Sequence, residues 1–198
     1  MKINTLIQLL VAIALSLCFG RSWSSDASYS VSQAESFFEE RSPSPHDLAW
    51  QIHERLLTLD AHVDIEIPGQ PSSDVGADGW SKVAPEKMRA GGLDAAVMAV
   101  AVGPKPRTAE GYAEAKQIAE AELAAVDMLI ADPDHQMVLA RSAEQLLDAH
   151  AEGKKALILG LQNALIFGQD AGAVDQYFDR GVRVFAMTHM GHNDFADS

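Results

Sequence analysis

Apolar positions along the chain fall into two kinds of run. Residues 57–63 (LTLDAHV), 93–102 (LDAAVMAVAV), 156–161 (ALILGL) and 182–188 (VRVFAMT) are short and largely continuous, the pattern of strands buried on both faces. Between them the apolar residues return at helical spacing. From His46 onward Leu48, Ile52, Leu56 and Leu57 share one face, which predicts a packing helix. Residues 109–131 carry Ile118, Leu123, Val126 and Ile130 on one period and stop at Asp132-Pro133, so a long amphipathic helix is expected there. Ser142 stands three residues before Gln145 in a capping-box spacing, and Gly153 closes the helix so begun. Residues 173–180 read as another helix, ended by Gly181.

Strands alternating with helices at these intervals predict parallel βαβ units, in either a doubly wound sheet or a barrel. A dinucleotide-type sheet needs a glycine-rich turn after its first strand, and His62-Val63-Asp64 occupies that place. The expected fold is therefore α/β, a (β/α)8 TIM-type barrel with only the first four or so β/α units present. A whole barrel takes eight units and about 250 residues. Four units leave two open apolar edges, so self-association or poor solubility is expected of the piece alone.

The termini and the charge refine this picture. Residues 1–25 open on Met1-Lys2, run apolar from Leu6 to Phe19 with Gln8 interrupting, and close on Ser22, Ser24 and Ser25. That is the layout of a secretory signal peptide, with a single-span anchor the alternative. The expected location is secreted or periplasmic, at the membrane only if the leader is retained or lipidated. Cys18 is the only cysteine and, in Leu15-Ser16-Leu17-Cys18, has the bulky Leu17 before it where a lipidation signal wants a small residue, so acylation is the lesser expectation. Residues 26–45, Ser-rich with Pro43 and Pro45, read as a linker or N-terminal arm, and residues 46–198 as the barrel half. With Cys18 in the leader, any metal must be held by histidines and carboxylates. The net charge is −13, and becomes −15 once Lys2 and Arg21 leave with the leader, which argues against nucleic acid as a partner.

In a barrel the C-terminal strand ends face the active site, and three polar clusters stand there. The first is Asp60-Ala61-His62-Val63-Asp64: alternate residues of an extended chain point the same way, so His62 and Asp64 can converge on one ion, although a bare His-x-Asp also occurs without one. The second is Gln162-Asn163, which could be substrate hydrogen-bonders or satisfied loop groups. The third runs from Thr188 to Asp194; Gly191 and Asn193 make it a loop, leaving His189, at the strand terminus, as its candidate and His192 as a loop side chain. His46, His53, His135 and His150 fall away from strand ends and read as solvated or capping. Glu110, Glu114, Glu120 and Glu122 read as a solvated helix face.

The segments LTLDAHVDIEIP, GGLDAAVMAVAV, ALILGLQNA and GVRVFAMTHMGHNDFADS, taken in order, resemble the membrane (renal) dipeptidase family over residues 46–198. The resemblance implies a barrel holding two zinc ions that hydrolyses dipeptides. It implies that His62 and Asp64 are zinc ligands and that His189 contacts the substrate and polarises the scissile carbonyl. The bridging glutamate of the family falls at Gln162, where a neutral amide cannot offset two dications, so one tight and one weak metal site is expected. Two further histidine ligands, a substrate-binding arginine and an acid/base aspartate lie beyond these segments, so the 198-residue chain is expected to be inactive as it stands. A homodimer is a candidate assembly. Two alternatives stand beside this reading: another metal-dependent amidohydrolase, against which Asp64 counts because those families favour His-x-His, and a degenerate homologue that binds peptides without turnover.

Overall fold

The computed structural model describes residues 43–198; the leader and most of the Ser-rich arm lie outside the described residues. The chain divides into residues 1–47 and 48–198, and the second unit contains the sheet. In order, the elements are α1 (Pro45–His53), β1 (Leu59–Asp64), α2 (Pro85–Gly91), β2 (Ala95–Val100), α3 (Ala109–Ala131), β3 (Met137–Leu139), α4 (Ala143–Ala151), β4 (Lys155–Leu161), α5 (Ala173–Arg180) and β5 (Val182–Phe185). Single 3-10 turns cover Pro133–His135 and Ala164–Phe167.

All strand pairings are parallel. β1 pairs with β2 and β2 with β4, while the far side of β4 is shared: β3 lies along its first half and β5 along its second. Leaving out the short β3, the strands β1, β2, β4 and β5 are neighbours in chain order. That is the arrangement of successive barrel units rather than of a sheet whose order reverses.

β2 is buried along its whole length, and Leu157, Leu159 and Leu161 of β4 are 0–3% exposed. Their outer partners come from α3, whose Ala115, Ala119, Leu123 and Val126 form a buried stripe. Thr108 caps that helix, accepting from the Gly111 N–H at 3.2 Å. At the start of α4, Ser142 Oγ accepts from Gln145 N, and Gln145 Oε1 accepts from Arg141 N rather than closing the box on Ser142. At the N-terminal ends of the strands, Asp94 accepts from Thr58 N at 2.9 Å and from Lys155 Nζ at 3.3 Å, tying β1, β2 and β4 together.

Three features differ from the pattern-based expectation. β3 and α2 were not expected, because three residues and seven residues are too short to show a period. The apolar face of α1 is not packed: Leu48, Ile52 and Leu56 are each about half exposed, and the helix has no buried residue. Near its end, His53 Nε2 lies 3.0 Å from the Gly91 carbonyl at the end of α2. Glu122 is not on a solvated face but is 5% exposed within the buried stripe of α3.

Candidate active site

β1 carries one extra residue against β2: Asp60 lies opposite Ala96, but Val63 lies opposite Met98. The register slip falls at Ala61-His62, and such bulges re-aim side chains beside functional sites. The His62 N–H donates to the Asp60 carboxylate at 3.0 Å, so Asp60 fixes the backbone that carries the imidazole. Beyond the bulge Val63 and Ile65 are buried, and Ile65 N donates to Ala99 O at 3.1 Å, extending the pairing past the strand end.

His62 and Asp64 meet as their spacing suggests. His62 Nε2 lies 3.1 Å from Asp64 Oδ1, with the two side chains 51% and 38% exposed. Gln162 joins them from the end of β4, its amide nitrogen 3.4 Å from the same His62 Nε2. Its place is set by the backbone, where Gln162 N donates to Val100 O at 3.0 Å. An imidazole, a carboxylate and an amide from two strand ends thus converge on one point, open to solvent.

Asn163, the other amide, points elsewhere. It is 3% exposed, and its Oδ1 accepts from Leu165 N at 2.9 Å and from Asn193 Nδ2 at 3.0 Å. It is a satisfied buried group, the second of the two readings open to it. His189 is exposed on the segment after β5 and makes no side-chain hydrogen bond to His62, Asp64 or Gln162. His192 lies on the same loop, its Nδ1 accepting from Ser198 N at 3.1 Å.

A carboxyl group behind this cluster was missed by the sequence reading. Glu122 Oε2 accepts from Ala101 N, just past β2, at 2.7 Å. Burial, opposed by that hydrogen bond and helped by the negative charge of Asp64, pushes its pKa up to about 7. The signal was in the spacing, since Ala115, Ala119, Glu122 and Val126 follow a single helical stripe and a charged residue on an apolar stripe is out of place. Glu66, two residues beyond Asp64, also holds an oxygen, Oε1, that is buried without a hydrogen-bond partner among the described residues. Acids therefore gather round the end of β1, an environment that favours a cation.

Zinc takes at least three protein ligands, and no group of three or more His, Cys, Asp or Glu side chains among the described residues could hold an ion. His62 and Asp64 have the right donor chemistry and mutual distance for two of them. They fit part of a metal site.

A family model, membrane dipeptidase (peptidase family M19), matches residues 47–198. The chain belongs to this family. Membership brings an α/β fold and a line of metal-dependent dipeptidases, and it accords with the strand order described above. A crystal structure of the probable dipeptidase PvdM from Pseudomonas aeruginosa is 30% identical, with a TM-score of 0.68 over 76% of this chain and 39% of that one. An amidohydrolase from Pseudomonas aeruginosa is 23% identical, with a TM-score of 0.56 over 73% of this chain and 38% of its own. A metallopeptidase from Rhodobacter sphaeroides, liganded with a phosphinate mimic of the dipeptide L-Ala-D-Ala, is 16% identical, with a TM-score of 0.50 over 66% of this chain and 44% of its own. The chain thus spans less than half the length of each of these proteins. No curated protein sequence matches it.

Proposed function

We propose that this chain supplies the first ligands of a zinc-dependent dipeptidase exported from the cytoplasm. The observation that carries the reading is the His62–Asp64 pair, 3.1 Å apart at the C-terminal end of β1, in a chain of the membrane dipeptidase family. The L-Ala-D-Ala mimic bound by the Rhodobacter sphaeroides metallopeptidase supports a dipeptide as the substrate class. The signal-peptide layout of residues 1–25 supports export to the periplasm or medium.

His62 would hold zinc through Nε2 and Asp64 through a carboxylate oxygen, while Asp60 keeps the His62 backbone in place. When bound, zinc supplies Lewis-acid polarisation of the scissile carbonyl and a nucleophilic water near neutral pH. Zinc ligation requires a bare imidazole nitrogen and an ionised carboxylate, so metal binding would compete with protons for these two groups. His189 is the residue assigned to donate a hydrogen bond to the oxyanion that develops as the carbonyl is attacked. Gln162 can ligate through its oxygen if the amide turns over, but it contributes no charge. One tight and one weak metal site follows.

The test is a zinc titration and a dipeptide hydrolysis assay on the protein carrying the complete barrel, with and without Gln162→Glu. The expected result is two unequal affinities in the unsubstituted protein and a weak site tightened at least about tenfold by the substitution, as the added charge favours the second ion. Two equally tight sites in both forms would overturn the charge argument. Absence of any dipeptide hydrolysis in both forms would favour a binding homologue. The 198-residue chain alone is expected to show no turnover in the same assay, because its two placed ligands fall short of a zinc site.

A further inference from the structure

We propose that the buried amide pair Asn163–Asn193 is a latch that positions the His189 segment, and that Asn163 acts as a positioning residue for the reaction. The inference rests on the reading of His189 as a substrate contact. Its physical basis is independent of that reading.

Asn193 is 4% exposed and uses its whole hydrogen-bonding capacity. Its Nδ2 donates to Asn163 Oδ1 at 3.0 Å and to Met187 O at 2.6 Å. Its Oδ1 accepts from Phe195 N at 2.8 Å and Ala196 N at 3.0 Å. One side chain therefore gathers both ends of the loop that contains His189. Asn163 is the side chain through which Asn193 is tied to the end of β4, and it directly follows Gln162, whose own side chain lies against His62. The dipeptide Gln162-Asn163 thus joins the two candidate histidines, reaching His62 with one amide and the His189 loop with the other. Ala164 N adds a bond to Met187 O at 3.2 Å.

The direction of the bonds makes the proposal sharp. Asn163 only accepts here, so Asp at 163 can make the same two bonds. Asn193 must donate, so Asp at 193 would face two acceptors, Asn163 Oδ1 and Met187 O. Ser at 163 can still cap the Ala164–Phe167 turn but is too short to reach Asn193.

The experiment compares Asn163→Ser, Asn163→Asp and Asn193→Asp. It follows the His189 imidazole resonances by NMR and amide exchange at Phe195 and Ala196, with kcat and KM for a dipeptide and zinc content, all on the protein carrying the complete barrel. Expected are shifted His189 resonances, faster exchange and a loss of about 10- to 100-fold in kcat/KM at unchanged zinc content for Asn163→Ser, with Asn163→Asp close to the unsubstituted protein. Asn193→Asp should resemble Asn163→Ser or be worse. If Asn163→Ser leaves the His189 resonances and the exchange at Phe195 and Ala196 unchanged, the latch is overturned. If the unsubstituted protein hydrolyses no dipeptide, the functional reading fails, while the resonances and exchange still decide the latch.

Discussion

At the scale of single residues, the chemistry is held by positions whose roles depend on what lies next to them in space. His62 and Asp64 could be picked out because a strand alternates its side chains and both residues stand where the first apolar run ends. Asp60 was in the same cluster, yet its role depends on a bulge that no spacing reveals. Glu122 shows the opposite failure. The helical stripe that would have identified it as buried was visible, and reading it with its acidic neighbours hid it. Its raised pKa has a testable consequence. A carboxyl whose folded pKa lies above its unfolded value favours the native state only while protonated. Stability therefore falls as pH rises from the ordinary glutamate range to about 7, and the full penalty holds above that. Glu122→Gln keeps an oxygen for Ala101 N and removes the charge. Chemical denaturation should show it gaining up to about 3 kcal/mol over the unsubstituted protein between pH 4.5 and pH 8. An unchanged difference across that range would refute the assignment.

At the scale of elements, β2, β4, the 109–131 helix and the caps at Ser142 and Gly181 were legible because burial on both strand faces and a 3.6-residue period leave direct traces in sequence; β1 and β5 were found by their apolar runs, but each has a single buried residue rather than two buried faces. β3 was not: three residues carry no period, and they pair only with the first half of β4. The packing of α1 was over-read from its apolar face. One local demand is specific to α3. A Cβ at Gly111 would lie 2.0 Å from the Pro106 carbonyl oxygen, a backbone atom that cannot swing aside. Gly111→Ala is expected to cost about 1–3 kcal/mol, seen as a lowered thermal midpoint, although alanine is the better helix former. A midpoint raised by the substitution would mean that the turn before α3 yields freely.

At the scale of the molecule, the first strands of a parallel barrel bring part of a candidate site to one end, and the family resemblance raised expectations that the pattern alone could not: zinc as the metal, a dipeptide as the substrate class and Gln162 as a departure from type. The amide at Gln162 is legible in sequence only against that family, and its contact with His62 only in the structure. Among the described residues no helix is long and apolar enough to cross a membrane. The central claim is that His62 and Asp64 are metal ligands of a dipeptidase. Its most direct test is the zinc affinity of the complete-barrel protein, measured by calorimetry beside His62→Ala and Asp64→Ala. The account predicts that each substitution weakens the tight site at least about tenfold and removes dipeptide hydrolysis with it. Zinc bound as tightly by both variants as by the unsubstituted protein would contradict it.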